Sequence, residues 1–160
     1  MRIFHTIKIC EPIRILLVTF VNCVLLSACS KHENPVPVTS INYKILGIES
    51  DPRYTGVRTA GGSALLESGT MCVGYNCNGV VLYRVKVSGE YDDFKAYDRT
   101  CPYEASGSAM EINPAFPYVL VCPDCGSEFN MEGGYMEKGP ADYPCREFSC
   151  DFYDGDLRLY

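Results

Sequence analysis

The chain has 160 residues, and its 14 Lys and Arg against 20 Asp and Glu give a net charge of −6. We expect no binding to nucleic acid, because that binding depends on cationic side chains that neutralise phosphates. Ten cysteines stand against two histidines, so disulfides or metal thiolates are the chemistry to consider first.

The first 28 residues have the pattern of a secretory signal peptide. Arg2, Lys8 and Arg14 precede an apolar run over residues 15–26, which is too short to span a bilayer. Export into an oxidising compartment is therefore expected, and it favours disulfides among the cysteines that remain.

The signal ends in the sequence Leu26-Ser27-Ala28-Cys29, which resembles the lipobox of bacterial lipoproteins. In that motif the chain is cut before the cysteine, whose thiol is acylated. We expect Cys29 to be the lipidated N-terminus and the protein to be anchored in the cell envelope, at the outer membrane, facing the periplasm or exposed on the surface. A plain secretory signal and an uncleaved anchor are the alternatives.

Residues 29–160 number 132, which is enough for one domain and too few for two. They carry 11 Lys and Arg against 19 Asp and Glu, with no basic cluster for anionic lipids, so membrane attachment depends on the acyl chains. Residues 29–39 are polar and include two prolines, which predicts a poorly ordered tether before a domain at 40–160.

Short β-type runs separated by turn residues predict an all-β antiparallel sandwich or small barrel. In the run Val80–Val87, Arg84 and Lys86 alternate with apolar residues, which indicates a strand with one face in water. Asp154-Gly155 predicts a tight hairpin turn. The other predicted strands are Ile41–Ile48, Phe94–Asp98, Tyr118–Cys122, Arg146–Tyr153 and Asp156–Tyr160.

Seven cysteines remain after the signal peptide and Cys29 are set aside. An odd number means that at least one of them is not in an intramolecular disulfide. The seven are Cys72, Cys77, Cys101, Cys122, Cys125, Cys145 and Cys150.

Two of the segments that contain these cysteines are predicted to be loops that follow strands. The first is Asp98-Arg-Thr-Cys101-Pro-Tyr103, and the second, about twenty residues later, is Cys122-Pro-Asp-Cys125-Gly-Ser. The C-x-x-C spacing lets two sulfurs from one turn reach the same metal ion. Three thiols are therefore expected to converge where the two loops meet.

This layout resembles the Rieske domain family, in which a Cys-x-His loop and a Cys-x-x-His-Gly-Ser loop hold a [2Fe–2S] cluster. Cys101 and Cys122 match the two cluster cysteines, and Gly126-Ser127 match the Gly-Ser of the second loop. The resemblance implies an all-β Rieske-like fold with a two-loop cluster-type subdomain at about 99–142. Later residues that fit the family are Phe129-Asn130, Gly134, Gly139-Pro140-Ala141 and Pro144.

The sequence departs from the family at both histidine positions. Tyr103 stands at the first and Cys125 at the second, and the two histidines of the chain, His5 and His32, lie in the signal peptide and the tether. A histidine-ligated Rieske centre is therefore excluded. The chain resembles the Rieske-like lipoproteins of Bacteroides-type bacteria. Those lipoproteins have a very similar cysteine pattern and lack the histidine ligands.

Three interpretations of the convergent thiols remain open. In the first interpretation they are thiolates on zinc or on an iron–sulfur cluster, with Tyr103, Asp98, Asp124 or a water as fourth ligand. Alternatively, Cys101 bonds to one of the other two and ties the loops together without metal. In the third interpretation, Cys122 and Cys125 form a redox-active pair.

The remaining four cysteines are disulfide candidates. Cys145 and Cys150 are an odd number of positions apart, so on one regular strand they would face opposite sides and would not pair with each other. Cys72 and Cys77 are their expected partners, and the alternative is that these four are buried free thiols. Near the site, the family resemblance implies that Ser127 donates a hydrogen bond to a cluster sulfur, and the alternative is that Ser127 is simply a turn residue.

These features together predict an envelope lipoprotein with a cysteine-ligated iron–sulfur or metal site, an electron-transfer or redox-accessory role and an envelope protein as partner. We expect no catalytic activity of its own, because the domain has no histidine to act as a base and no visible nucleophile or acid pair. The competing hypothesis is a metal-free, disulfide-stapled binding module that keeps only the fold.

Overall fold

Eleven short strands form three antiparallel sheets in the described residues of the computed structural model, which are 33–105 and 107–160. In chain order they are β1 (Tyr43–Ile45), β2 (Ser63–Leu66), β3 (Val80–Arg84), β4 (Phe94–Asp98), β5 (Glu111–Ile112), β6 (Val119–Val121), β7 (Glu128–Asn130), β8 (Met136–Lys138), β9 (Glu147–Phe148), β10 (Cys150–Tyr153) and β11 (Asp156–Leu159). Two 3-10 helices, Pro52–Arg58 and Tyr75–Cys77, lie in the connections. The all-β prediction is confirmed.

The sheets have the orders β1-β11-β10, β2-β3-β4-β9 and β5-β6-β7-β8. One apolar core, which includes Leu82 and Leu157, packs between the first and second sheets. A second core, which includes Val81 and Leu120, packs between the second and third sheets. The second sheet is therefore the central layer, and the third sheet lies within the range predicted for the two-loop subdomain.

The central position of β3 corrects the prediction of a strand with one wet face. Val80 and Leu82 belong to the first core, Val81 and Tyr83 to the second, and every residue of the strand is buried. The strand ends at Arg84, because the backbone from Val85 turns towards Asp93 instead of continuing as far as Val87.

Arg84 is buried and does not face solvent. Its guanidinium lies 3.0 Å from Asp93 and 2.9 Å from Glu49, and it stacks over the Phe94 and Phe152 rings at 4.3 and 4.8 Å from their centroids. The charge is tolerated because two carboxylates neutralise it and two aromatic rings flank it.

The predicted strand Arg146–Tyr153 is two strands. β9 pairs with β4 in the central sheet, whereas β10 pairs with β11 in the first sheet, and the chain crosses between the sheets at Ser149. The hairpin turn between β10 and β11 has positive φ at Asp154 (51°) and Gly155 (79°), as Asp-Gly predicted.

Asn34–Tyr160 form one compact unit, so part of the predicted tether packs onto the domain. Val36 is fully buried, and its carbonyl accepts two hydrogen bonds from Arg146, at 3.0 and 2.7 Å. The side-chain amide of Asn34 donates to the carbonyl of Pro144 at 2.9 Å.

The signal peptide, Cys29 and the tether up to residue 32 lie outside the described residues. No helix in the described part of the chain is long and apolar enough to cross a membrane.

Candidate metal centre

The first cysteine loop begins where β4 ends. The buried Asp98 carboxylate accepts the Thr100 N–H at 2.8 Å, and Thr100 bridges to Ala109 on the return of the loop. Cys101 follows directly and is only 2% exposed, in the second apolar core. Its side chain is therefore directed inwards by the conformation of the residues before it.

The second cysteine loop is a tight turn between β6 and β7. The Cys122 N–H donates to the Ser127 carbonyl and the Gly126 N–H donates to the Cys122 carbonyl, both at 2.9 Å. Gly126 has φ of +72°, which an L side chain rarely adopts. This turn places Cys122 and Cys125 on the same side of the loop, as C-x-x-C spacing requires for a shared ligand.

The loops bring three sulfurs together. The Sγ atoms of Cys101, Cys122 and Cys125 lie within 4.8 Å of one another, and those of Cys101 and Cys125 are 3.6 Å apart. Two thiolates on one tetrahedral zinc would be about 3.8 Å apart, given Zn–S bonds of about 2.3 Å, whereas bonded sulfurs lie about 2.05 Å apart. The observed separation fits two ligands of one metal.

A third segment supports the second loop from behind. Gly139 packs so closely that a Cβ there would lie 2.4 Å from Ser127 Cα, and the Ala141 N–H donates to Ser127 Oγ at 3.2 Å. Ser127 is fully buried, and its Oγ lies 3.1 Å from Cys125 Sγ. Since Oγ already accepts from Ala141, its own proton is available to a Cys125 thiolate.

The two loops give their thiols different acidities. Burial raises the pKa of Cys101 to about 12. Burial also raises the pKa of Cys125, but hydrogen bonds from the Ser127 hydroxyl and N–H outweigh it, with smaller contributions from Cys122 and Cys101, so the pKa of Cys125 is below its ordinary value. Cys125 is therefore the thiol most easily ionised of this pair, as a metal ligand needs to be.

A cavity of about 310 Å³ opens beside the sulfurs. Tyr103, Asp124 and Pro140 line it together with the three cysteines, and Tyr103 is 47% exposed.

The candidate fourth ligands differ in their position and in their existing hydrogen bonds. Asp124 already accepts the Ser108 N–H at 2.5 Å and the Ser108 hydroxyl at 3.2 Å. Of the candidate fourth ligands, Tyr103 and Asp124 are thus at the cavity, while Asp98 is engaged by Thr100 and by the Tyr75 N–H, at 2.6 Å.

The donor set decides which group the site fits. Residues 33–160 contain no histidine, and no carboxylate in the described ranges joins the three-cysteine group. A [2Fe–2S] cluster with two imidazole ligands therefore does not fit this chain. Three soft thiolates fit zinc or a cysteine-ligated iron–sulfur centre that accepts a further ligand at the open side.

The disulfide prediction needs correction. Cys72 bonds to Cys77, five positions away, and Cys145 and Cys150 are free thiols. The expected cross-links between the two pairs are absent because Cys150 lies against the first core and donates to the Phe94 carbonyl at 3.3 Å, while Cys145 is buried in the second core with Cys101.

Sequence reasoning missed the residues that brace the first cysteine loop. The hydroxyl of Thr100 donates to the Tyr75 carbonyl at 3.1 Å and accepts from the Asn78 side chain at 2.9 Å. Both partners come from the segment around the Cys72–Cys77 disulfide. The cluster of Gly and Asn at positions 74–79 was the available signal of a tight turn there.

Comparison with solved structures found weak structural likeness. No protein-family model matches the chain, and no curated protein matches it. The chain is similar to a chain in the complex of reduced oxygenase and oxidised ferredoxin in carbazole 1,9a-dioxygenase, with 18% identity and a TM-score of 0.45 over 74% of this chain and 100% of that one. At this level the likeness indicates neither a cofactor nor an activity.

Proposed function

We propose that Cys101, Cys122 and Cys125 hold a metal ion or an iron–sulfur centre through their thiolates, and that the protein is a Rieske-like envelope lipoprotein with an electron-transfer or redox-accessory role. The observation that carries the proposal is the convergence of the three sulfurs within 4.8 Å of one another beside an open cavity. Thiols from two separate loops meet there at the spacing of co-ligands.

The surrounding residues suit such a centre. Cys101 and Cys122 are each 2% exposed, whereas Cys125 and the rim residue Tyr103 are accessible to solvent. A cysteine-ligated iron–sulfur centre would supply one-electron transfer, and this open side is where a partner protein would approach. The Ser127 hydroxyl would donate to the Cys125 sulfur and stabilise its negative charge.

The envelope location is supported by the sequence of the N-terminal region. The basic residues, the apolar run and Leu26-Ser27-Ala28-Cys29 agree with a lipoprotein signal, as in the Bacteroides-type Rieske-like lipoproteins that the chain resembles. The Cys72–Cys77 disulfide agrees with an oxidising compartment. An acylated Cys29 would anchor the domain, and its partner would be another envelope protein.

A metal-free binding module is the second candidate. The 3.6 Å between the Cys101 and Cys125 sulfurs is short enough for small movements of the loops to join them in a disulfide. That bond would tie the two loops together and leave Cys122 as a free thiol. The fold would then serve only to present a binding surface.

Metal analysis of the full-length protein, purified in detergent with and without oxygen, separates the two candidates. We expect iron with sulfide, or zinc, bound to wild type, lost in Cys125→Ser and retained in the matched control Cys150→Ser, whose thiol lies away from the site. Peptide mapping should find Cys101 and Cys125 reduced. Absence of iron and zinc together with a Cys101–Cys125 disulfide would reject the metal site and favour the metal-free, disulfide-stapled alternative.

A further inference from the structure

The loop closed by the Cys72–Cys77 disulfide lies against the first cysteine loop. This loop and the following Asn78 form a segment, residues 72–78, that includes the 3-10 turn Tyr75–Cys77 and approaches the chain on both sides of Cys101. On the N-terminal side they contact Asp98 and Thr100. On the C-terminal side the Asn76 amide donates to the Ala105 carbonyl at 2.9 Å.

The contacts before Cys101 form a closed network. Asp98 accepts the Tyr75 N–H at 2.6 Å with one oxygen and the Thr100 N–H at 2.8 Å with the other. The Thr100 hydroxyl donates to the Tyr75 carbonyl and accepts from the Asn78 amide, at 3.1 and 2.9 Å. Asp98 and Thr100 are fully buried, so loss of these partners would leave polar groups unsatisfied in the core.

The disulfide closes a loop whose backbone is unusual and closely packed. Three residues of the loop have positive φ: Gly74 (74°), Asn76 (51°) and Cys77 (59°). Gly79, just after the loop, has positive φ as well (85°). Left-handed backbone is unfavourable for Cys77, whereas Asn76 tolerates it better. A Cβ at Gly74 would lie 2.5 Å from the Gly79 carbonyl oxygen and 3.3 Å from the Asp98 carboxylate, so the loop has little space in which to shift.

We propose that residues 72–78 are a disulfide clasp that positions Cys101 opposite Cys122 and Cys125. The clasp restricts the backbone immediately before and after Cys101, while the two other thiols belong to a turn that forms its own hydrogen bonds. Tyr75, Asn78 and Thr100 are thus positioning residues, which act on the sulfur site through the Cys101 backbone. The consequence for metal binding rests on the function proposed above, whereas the consequence for the position of Cys101 does not.

The decisive pair of variants is Thr100→Val and Thr100→Ser in the full-length protein. Valine has nearly the shape of threonine but no hydroxyl, so it loses the bonds to Tyr75 and Asn78, whereas serine keeps them. In metal-free protein we expect alkylation of Cys101, located by tandem mass spectrometry, to be at least about tenfold faster in Thr100→Val and close to wild type in Thr100→Ser. The Cys72→Ser/Cys77→Ser double variant should show the same acceleration.

Cobalt titration provides the second readout, through the thiolate-to-cobalt absorption. Loss of outer-shell support typically weakens metal affinity 10–100-fold, and we expect this range for Thr100→Val and for the double Ser variant. Asp151→Asn, an exposed substitution on β10, is the control and should change neither readout.

Unchanged Cys101 alkylation in both Thr100→Val and the double Ser variant would overturn the clasp. If the double variant fails to fold, Thr100→Val alone decides, because it keeps the disulfide. Wild type that binds no cobalt, with accelerated Cys101 alkylation in Thr100→Val, would reject the metal site and still support the clasp.

Discussion

Ser127 Oγ lies 3.1 Å from Cys125 Sγ and accepts the Ala141 N–H at 3.2 Å, so one buried hydroxyl joins the second cysteine loop to the segment behind it. The same group stabilises a Cys125 thiolate and satisfies a buried backbone donor. These two roles predict two separate effects of its removal.

Ser127→Ala should raise the pKa of Cys125, because the thiolate loses its hydroxyl donor. The pH profile of Cys125 alkylation in metal-free protein should move to higher pH. The free energy of unfolding should fall by about 1–3 kcal/mol, since the Ala141 N–H is left unsatisfied in the interior. Ser149→Ala, between β9 and β10, is the control for the alkylation profile. An unmoved profile would show that Ser127 does not act on the sulfur.

Gly139→Ala should be more damaging than an alanine at another glycine of positive φ. The new Cβ would lie 2.4 Å from Ser127 Cα and 2.5 Å from its Oγ, in backbone of φ +110°. Gly155→Ala, with φ +79° and open space around the Cβ, isolates the backbone penalty of about 1–2 kcal/mol. Urea denaturation should show a larger loss for Gly139→Ala. Equal losses would mean that the segment moves away from Ser127 without cost.

Features encoded over short stretches of sequence could be predicted. The C-x-x-C turn of Cys122 and Cys125 and the hairpin turn at Asp154-Gly155 both follow from local spacing and the preferences of glycine. The approach of Cys101 to that turn was expected because both cysteine segments were predicted to be loops that follow strands. The structure brings the three sulfurs together in that way.

Features that depend on how the sheets and loops pack against one another could not be predicted. The alternation of residues along β3 identifies the two faces of the strand, but it does not reveal that both faces are covered by other sheets. The burial of Arg84 was therefore missed. Pairing of Cys72 with Cys77 depends on the left-handed turn between them, which spacing alone does not reveal. The crossing at Ser149 was missed because β9 and β10 are nearly continuous in sequence.

Arg84→Leu should destabilise the protein by about 3–5 kcal/mol, because it leaves the Asp93 carboxylate buried without its cation. The contacts to Glu49 and to the Phe94 ring are lost as well. Lys86→Leu removes an exposed pair with Asp92 and is the matched control, for which we expect a much smaller change in the urea midpoint. Comparable losses in the two variants would contradict the buried ion pair.

Stability should fall as the pH rises above 9, in part because burial raises the pKa of Cys150 from 9.0 to about 12. Between these values the unfolded chain releases the thiol proton and the folded chain keeps it, so unfolding becomes more favourable with each pH unit.

Cys150→Ser keeps a hydrogen-bond donor towards the Phe94 carbonyl but has no thiol to ionise. Urea denaturation of metal-free protein at pH 8, 9 and 10 should therefore give a shallower decline for Cys150→Ser than for wild type. The expected difference is on the order of 1 kcal/mol per pH unit above 9, since one proton per molecule is involved. Parallel declines would mean that the Cys150 thiol ionises in the folded protein as it does in the unfolded chain.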